Sequence, residues 1–320
     1  MALFDSELPV PTRIAVLSGS ESAEREVSLQ SGAAVTRALE ARGHEVTRID
    51  PAESDLSQET WVVFDVAFLA LHGRFGEDGQ IQRLLEDVGI PYTGSNSDTS
   101  RLAFSKSASK ERFAQCGVPT PPYVLIHESD DAERIQTQAL KVGYPLVVKP
   151  DTQGSSLGVS LIDSPQGLPQ ALKQCFQYDP FGIVEPVVSG SEWTVGLLDD
   201  VVLPLIKIET NRKFFDYQAK YEDEATAYCF EFPLPAHVVH AIETAGRQAG
   251  EALKTRGLAR VDILLDKFQQ PWVLEVNTIP GLTDHSLIPK SAARLGISFG
   301  ELCERAIQSC LSTAVSRPHN

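Results

Sequence analysis

Four polar side chains between Arg260 and Asn277 have types and spacing suited to handling phosphate. The sequence reads Arg260-Val-Asp262-Ile-Leu-Leu-Asp266, a polar turn, then Trp272-Val-Leu-Glu275-Val-Asn277. Two apolar, β-branched runs flank 266–271, the pattern of a β-hairpin. Symmetric closure sets Asp262 opposite Glu275 and Arg260 opposite Asn277, and alternation then brings all four to one face. Opposed carboxylates with β-carbons about 5 Å apart repel by roughly 3 kcal/mol at an effective dielectric of about 20. A positive charge must stand between them. A hard divalent cation held by carboxylate and amide oxygens suits Asp262, Glu275 and Asn277: Mg²⁺ above all, with Mn²⁺ as its substitute. The other reading is an ion cluster in which Arg260 alone neutralises the pair. This stretch by itself leaves both open.

Further candidates lie upstream. Lys149 ends an apolar strand, where a lysine is costly to bury without an anion. After it comes Asp151-Thr-Gln-Gly154-Ser155-Ser156-Leu-Gly158. Its glycines let backbone N–H groups approach phosphate oxygens, and its serines add donors. It is not a Walker loop, because it lacks Gly-Lys-Ser/Thr and precedes a strand. A plain hairpin turn is the alternative. Glu185 and Glu192 are spaced like paired acceptors for ribose hydroxyls, or are solvated acids at a linker. Glu24 opens a helix. It can complement the helix dipole or hold a ligand ammonium at the strand-to-helix end of a sheet. Spacing alone favours the dipole. His72 heads a tight loop, His72-Gly-Arg-Phe-Gly-Glu-Asp-Gly79, in which Asp78 is a candidate N-cap.

These residues need a scaffold. Strands over 14–17, 46–49 and 66–71 alternate with helices over 23–41 and 81–88, which predicts a parallel α/β sheet. A dinucleotide fold needs three glycines where Gly19 is alone. A helix over 100–115 carries Lys106 and Lys110. Strands follow over 123–126, 144–150 and 159–162, with a helix over 130–140. Strands over 193–198 and 201–208 precede a polar loop over 211–226, whose length suits a lid. A helix over 238–252, the hairpin, and helices over 286–295 and 299–312 complete the chain.

A length of 320 residues allows two or three domains. The net charge of −15 argues against a nucleic-acid partner. Five scattered cysteines without a Cys-x-x-Cys suggest a reducing compartment. The amino terminus has neither a basic start nor an apolar run, and no span of 18 apolar residues occurs. Together these predict a cytoplasmic protein with no membrane segment.

In order along the chain stand Ser22-Ala-Glu24-Arg-Glu-Val-Ser, the His72 loop, Lys149-Pro with Gly154-Ser155-Ser156-Leu-Gly158, Asp216-Tyr-Gln-Ala-Lys220-Tyr221, Arg260-Val-Asp262, and Glu275-Val-Asn277-Thr-Ile-Pro-Gly281. Together they resemble the D-alanine–D-alanine ligases, of the ATP-grasp class, over nearly the whole length. The resemblance implies an α/β fold, α+β in its C-terminal half. Residues 1–95 would form an N-terminal parallel-sheet α/β substrate domain, 96–184 a central lid domain and 185–320 a catalytic domain, with ATP gripped between the last two. It implies ATP-dependent joining of two D-alanines through an acyl phosphate, for peptidoglycan precursors, by a homodimer.

The resemblance also implies roles. Lys106, Lys149, Lys220 and Ser156 meet the phosphates; Glu185 and Glu192 meet the nucleoside. Asp262, Glu275 and Asn277 hold magnesium, and Arg260 stabilises the oxyanion. Glu24 takes the first substrate's ammonium, while Ser155 and Tyr221 bond with it to close the lid. His72, Gly281, Ser286 and Leu287 line the substrate sites. The chain departs from the family at Ser20 (commonly Gly), Ser105 (Asp), Pro186 (an adenine-contacting Lys) and Asp284 (Ser). Pro186 predicts weaker ATP binding, or at the extreme a decayed nucleotide-binding homologue. Asp284 predicts altered acceptor choice.

Overall fold

A computed structural model describes residues 8–210, 226–283 and 286–315. Lys220, Tyr221 and Asp284 lie outside the described residues.

The amino-terminal unit comprises β1 (Arg13–Leu17), α1 (Arg25–Glu40), β2 (Glu45–Ile49), α2 (Gln58–Trp61), β3 (Val66–Leu69) and α3 (Gln80–Val88). Its three strands are parallel, in the order β2-β1-β3. Ile14, Val16 and Phe68 face one side, toward Val35 and Leu39 of α1. Ala15, Leu17, Ala67 and Leu69 face the other, toward Ile81 and Leu85 of α3. Burial on both faces is why β1 and β3 read as unbroken apolar runs. Gly79, in the left-handed region at φ 91°, is the N-cap of α3. Asp78 instead accepts from Phe75 N and Gln80 N and so shapes the turn before it.

The helix expected over 100–115 is two helices, α4 (Ser97–Phe104) and α5 (Lys106–Cys116). Ser105 breaks the run with extended backbone, and its side chain accepts from Ala108 N. A serine hydroxyl at an N-cap competes with helix continuation, which is the physical reason for the break. The middle unit follows with β4 (Val124–His127), α6 (Ala132–Val142), β5 (Leu146–Pro150), β6 (Ser160–Ile162), α7 (Leu168–Cys175) and β7 (Phe181–Pro186). Its antiparallel sheet runs β4-β7-β5-β6. Ile126, Leu146, Val148 and Val184 pack beneath α6 and α7. Val147, Lys149, Leu161 and Glu185, on the alternate positions, line a cleft.

The last unit holds β8 (Gly190–Leu198), β9 (Val201–Val202), β10 (Ile206–Glu209), β11 (Ala227–Cys229), α8 (Ala236–Leu253), β12 (Leu258–Asp266), β13 (Pro271–Asn277), α9 (Leu287–Ala293) and α10 (Phe299–Val315). The strand expected over 201–208 is split, with Pro204 between β9 and β10; proline cannot donate to a ladder. The main sheet runs β11-β10-β8-β12-β13, with β9 beside β8. Trp193, Val195, Val261 and Ile263 pack in one core with Ile242, Ala245 and Ala249 of α8. A Cβ on Gly246 would meet Val195 Cγ1 at 2.6 Å, so glycine there permits the close approach of helix and sheet. Thr194, Arg260 and Asp262 fall on the opposite face. Leu302, Cys303, Ala306 and Ile307 of α10 pack with Ile14, Val16 and Leu39, so the last helix shields the first sheet.

The β12–β13 hairpin departs from symmetric closure in one instructive way. Near the turn, Leu265 pairs with Pro271, Leu264 with Trp272 and Ile263 with Val273. Continued unbroken, that register would put Leu274 opposite Asp262 and send Glu275 toward the α8 core. A register shift after Asp262 adds one residue to β13. Asp262 therefore faces Glu275, and Arg260 faces Asn277, as expected. Leu274 and Glu275 both line the cleft, whereas Val273 and Val276 both enter the core. Bulges commonly re-aim a side chain in this way. Deleting Leu274 should remove the bulge and leave Glu275 opposite Asp262 in an unbroken register, because Glu275 then takes the place Leu274 would have had. The expected result is ATP-dependent turnover that is reduced but stays above background, with a lowered thermal midpoint, read by a phosphate-release assay and a melt. Turnover lost to background would mean that the site needs more of this hairpin than the pairing.

Candidate active site

Two cavities meet at this hairpin. The larger, ≈ 580 Å³, lies between the middle and last sheets. Its volume is typical of small-molecule sites, about 300–1,000 Å³. Lys106, Lys149, Ser156, Glu185, Glu192, Asp262 and Glu275 all line it. The smaller, ≈ 160 Å³, is lined by Glu24, His72, Ser155, Arg260, Asn277, Gly281, Ser286 and Leu287. Every described residue expected to bind nucleotide therefore faces the first cavity. Every described residue expected to bind substrate faces the second. A third, small pocket of ≈ 30 Å³, lined by Glu77, Lys106, Gly154, Glu275 and Asn277, shares residues with both.

The opposed carboxylates are neutralised separately. Arg260 grips Asp262 through Nε to Oδ1 at 3.0 Å and Nη2 to Oδ2 at 2.9 Å. Asp262 also accepts from Thr194 Oγ1 at 3.0 Å and Asn277 Nδ2 at 3.2 Å. The Lys106 ammonium stands 3.4 Å from Glu275 Oε2. Lys106 thus shares the neutralisation with Arg260, which corrects the reading in which Arg260 alone neutralises the pair. Among the described residues no three His, Cys, Asp or Glu side chains cluster as a metal site. Two carboxylates and one amide on adjacent strands are what the site offers. That donor set fits Mg²⁺, which keeps several waters and takes further oxygens from substrate phosphates.

The anion required beside Lys149 is supplied by the protein. Glu185 is fully buried in the middle sheet, ion-paired with Lys149 and, at 2.9 Å, with Lys110. Lys110 has no exposed side-chain surface and also donates to Thr120 Oγ1 at 2.9 Å and Pro121 O at 3.1 Å. Burial alone would push the Glu185 carboxyl up; the two ammonium groups outweigh it and hold the carboxyl below its usual range. Burial pulls Lys110 down to about 8, opposed by Glu185. The carboxylate of Glu185 is thus held between two lysines, on the wall of the cleft that Glu192 also lines. Pro186 lines the same cleft at the end of β7.

At the smaller cavity, Glu24 precedes the first turn of α1, and its side chain makes no capping bond. Its carboxylate instead accepts from the Ser155 hydroxyl, 131 residues away. Ser155 and Ser156 sit at φ 52° and 58°, left-handed backbone rare for non-glycine residues. The glycine-serine loop is thereby closed onto the amino-terminal unit. His72 is buried, with Nε2 3.2 Å from Ser31 Oγ, and burial lowers its pKa. Ser286 precedes α9; its hydroxyl meets Thr283 N and Thr283 Oγ1, each at 2.9 Å. Leu287 opens α9, where N–H groups lack intrahelical acceptors.

Glu77, Thr194 and Lys110 belong to this constellation; the sequence singles out neither Glu77 nor Thr194, and it places Lys110 on its helix without giving it a role. Glu77 lines both the smaller cavity and the small third pocket beside it. Burial first, and the Glu24 charge second, push its carboxyl up to about 8, while the Gly73 N–H at 2.7 Å pulls it back. Its one sequence signal was an acid inside a glycine-rich loop. Lys110 had a better one, since it lies one helical turn from Lys106 on the same face.

Two antiparallel sheets closing on a lysine-lined cleft, with a pair of facing acids carried by the second sheet, make the arrangement of the ATP-grasp class. Residues 47–95 match the family model described as D-ala D-ala ligase N-terminus, and residues 113–308 match D-ala D-ala ligase C-terminus. A D-alanine–D-alanine ligase from Nitrosomonas europaea is 41% identical over 299 residues, covering 93% of this chain and 97% of that protein. The crystal structure of D-alanine–D-alanine ligase from Bacillus anthracis aligns with a TM-score of 0.86 at 36% identity, over 95% of this chain and 99% of its own. The same ligase complexed with ATP aligns at 0.84 and 33% identity, again over 95% and 99%. The chain belongs to the D-alanine–D-alanine ligase family.

The buried Lys149–Glu185–Lys110 group generates a test of its own. Glu185→Gln leaves two buried ammonium groups without their carboxylate, a change that typically costs about 3–5 kcal/mol. Because the Glu185 carboxyl is held low, its contribution is present above pH 4.5, its ordinary value, and is lost as pH falls through the folded-state value. Urea unfolding should show a large loss for the variant at pH 7, narrowing as the pH falls through the acid range.

Proposed function

We propose that the chain is an ADP-forming ligase that joins two D-alanines to D-alanyl-D-alanine at the expense of ATP, for peptidoglycan precursors. The observation that carries this reading is the shared wall. Asp262 and Glu275 face the nucleotide-sized cavity, while Arg260 and Asn277, directly paired or two residues away, face the amino-acid-sized one. A phosphoryl group held in the first lies beside a carboxylate held in the second.

In this reading Glu24 binds the ammonium of the first D-alanine, and Arg260 faces its carboxylate. Lys106, Lys149, Ser156 and Lys220 hold the ATP phosphates, and Glu192 meets the ribose. A carboxylate oxygen takes the γ-phosphoryl group as its bond to ADP breaks, giving an acyl phosphate. Phosphoryl transfer of this kind depends on positioning and charge more than on covalent help. The second D-alanine places its carboxylate at Ser286 and the Leu287 N–H, with Gly281 and His72 shaping the pocket. Its deprotonated amine attacks the acyl carbon, Arg260 stabilises the oxyanion, and the bond to phosphate breaks. Ser155 and Tyr221 bond with Glu24 to keep water out. Asp262, Glu275 and Asn277 would hold magnesium, or manganese in its place; when bound, the ion neutralises phosphate oxygens. The three-domain division at 1–95, 96–184 and 185–320, a homodimeric assembly and a cytoplasmic location belong to the same reading and rest on family membership. No helix among the described residues is long and apolar enough to cross a membrane.

The test is incubation with ATP, Mg²⁺ and a panel of D-amino acids, with phosphate release measured and products weighed by mass spectrometry. D-alanyl-D-alanine as the main product supports the reading. Phosphate released only with a mixed pair, or ATP bound without turnover, overturns it. Asp262→Asn should lower turnover by roughly 10²-fold or more with an unchanged melting midpoint.

A further inference from the structure

The amino end of α5 is fastened to a single residue of the glycine-serine loop. A helix leaves its first N–H groups without intrahelical acceptors. In α5 the Lys106 N–H donates to Asp151 O at 3.0 Å, and the Ser107 N–H donates to Asp151 Oδ1 at 2.7 Å. The Ala108 N–H donates to Ser105 Oγ at 3.2 Å, and that hydroxyl donates to Asp151 Oδ2 at 2.7 Å. Both carboxylate oxygens and the carbonyl of Asp151 are therefore engaged by three successive residues of another element. Asp151 is itself 6% exposed and fixed to β7 by its N–H to Phe181 O at 3.1 Å. A buried carboxylate is costly unless hydrogen-bonded, and a helix N-terminus is favourable ground for one.

The clamp has a consequence for the cleft. Two residues beyond Asp151, Gln153 O accepts from the Lys106 ammonium at 2.6 Å. Lys106 is thus held at both ends by the 151–153 segment, through its backbone N–H and through its Nζ. The next residues of that segment are Gly154, Ser155, which reaches Glu24, and Ser156, which lines the nucleotide-sized cavity. We propose that Asp151 is a positioning residue that makes Lys106 and the Gly154–Ser156 loop one mechanical unit, and so sets both against the phosphates of ATP. This rests on the reading of the larger cavity as the ATP site. Asp151 touches no reacting atom; it acts through the first turn of α5 and through the loop. The bond between Ser105 and Asp151 is one hydroxyl to one carboxylate, so exchanging the two residues keeps its chemistry. An aspartate at position 105 would cap α5 from its own N-cap position, where aspartate is a preferred residue.

The test compares Asp151→Ala, Asp151→Asn and the exchange Ser105→Asp with Asp151→Ser. Steady-state kinetics are combined with amide hydrogen exchange of 106–108 and 152–158 in the ligand-free protein. We expect Asp151→Ala to raise KM for ATP about tenfold, with little change in KM for D-alanine, and to speed exchange in both segments together. The exchange variant should recover both readouts toward wild type, which a merely structural role would not require. Asp151→Asn keeps one acceptor and the side-chain shape and should fall between; it decides the matter if the alanine variant does not fold. An ATP KM within twofold of wild type for Asp151→Ala, exchange speeding in only one segment, or a folded exchange variant that stays as impaired as Asp151→Ala would overturn the proposal. Should the wild type neither bind nor consume ATP, the functional reading falls. The hydrogen-exchange pattern then decides the clamp alone, which stands if the two segments loosen together and falls if they do not.

Discussion

Two carboxylates facing each other on neighbouring strands cannot remain charged without cations, and the rest of the molecule is arranged around that demand. Asp262 and Glu275 are brought opposite by one added residue in β13. On the far face of the same strands, valines and an isoleucine lock the sheet to α8. The polar and apolar sides of the hairpin therefore specify one another. A slip of one residue would bury an acid and expose part of the core. Arg260 and Lys106 hold the pair in balance, and each comes from a different cavity wall. In the proposed reading, a phosphate-bound cation entering the larger cavity would meet acids already gathered and already desolvated in part.

The same logic governs the cations. Lys149 and Lys110 are buried because Glu185 lies between them. A lysine whose partner is an acid of the protein is held in place before any ligand arrives, which lowers the reorganisation needed on binding. Closure of the glycine-serine loop follows a parallel plan. Ser155 bonds to Glu24 across the interface with the amino-terminal unit. The left-handed backbone at Ser155 and Ser156 is strain of the kind that accumulates at ligand clamps. Ordered contacts at both edges of the loop hold it there.

Much of this was legible in the residues. The parallel sheet announced itself through apolar runs alternating with helical periods, and the hairpin through two runs about a polar turn. Pairing of Asp262 with Glu275 was deduced from symmetric closure, yet the turn closes one residue tighter and a bulge restores the pairing. Nothing local in Leu274-Glu275 distinguishes a bulged strand from a regular one, because the choice is made by packing against α8. The break at Ser105 did carry a local signal, a serine before a lysine-rich turn. It lost to the longer helical period running from 100 to 115. The buried pairing of Glu185 with Lys149 and Lys110 had no local signal, because those partners lie 36 and 75 residues away and only the fold unites them. Packing of α10 onto the first sheet is likewise a tertiary fact; the amphipathic pattern of that helix names a face but not what covers it.

The central claim is that Asp262 and Glu275 share a metal ion that carries the phosphates of a nucleotide. Its most direct measurement is anomalous diffraction from crystals grown with ADP and Mn²⁺. The account predicts a manganese peak in the larger cavity, within coordination distance of both carboxylates and of a phosphate oxygen. Bound nucleotide with the manganese held elsewhere, or with Asp262 still closed on Arg260 and no metal beside it, would contradict it.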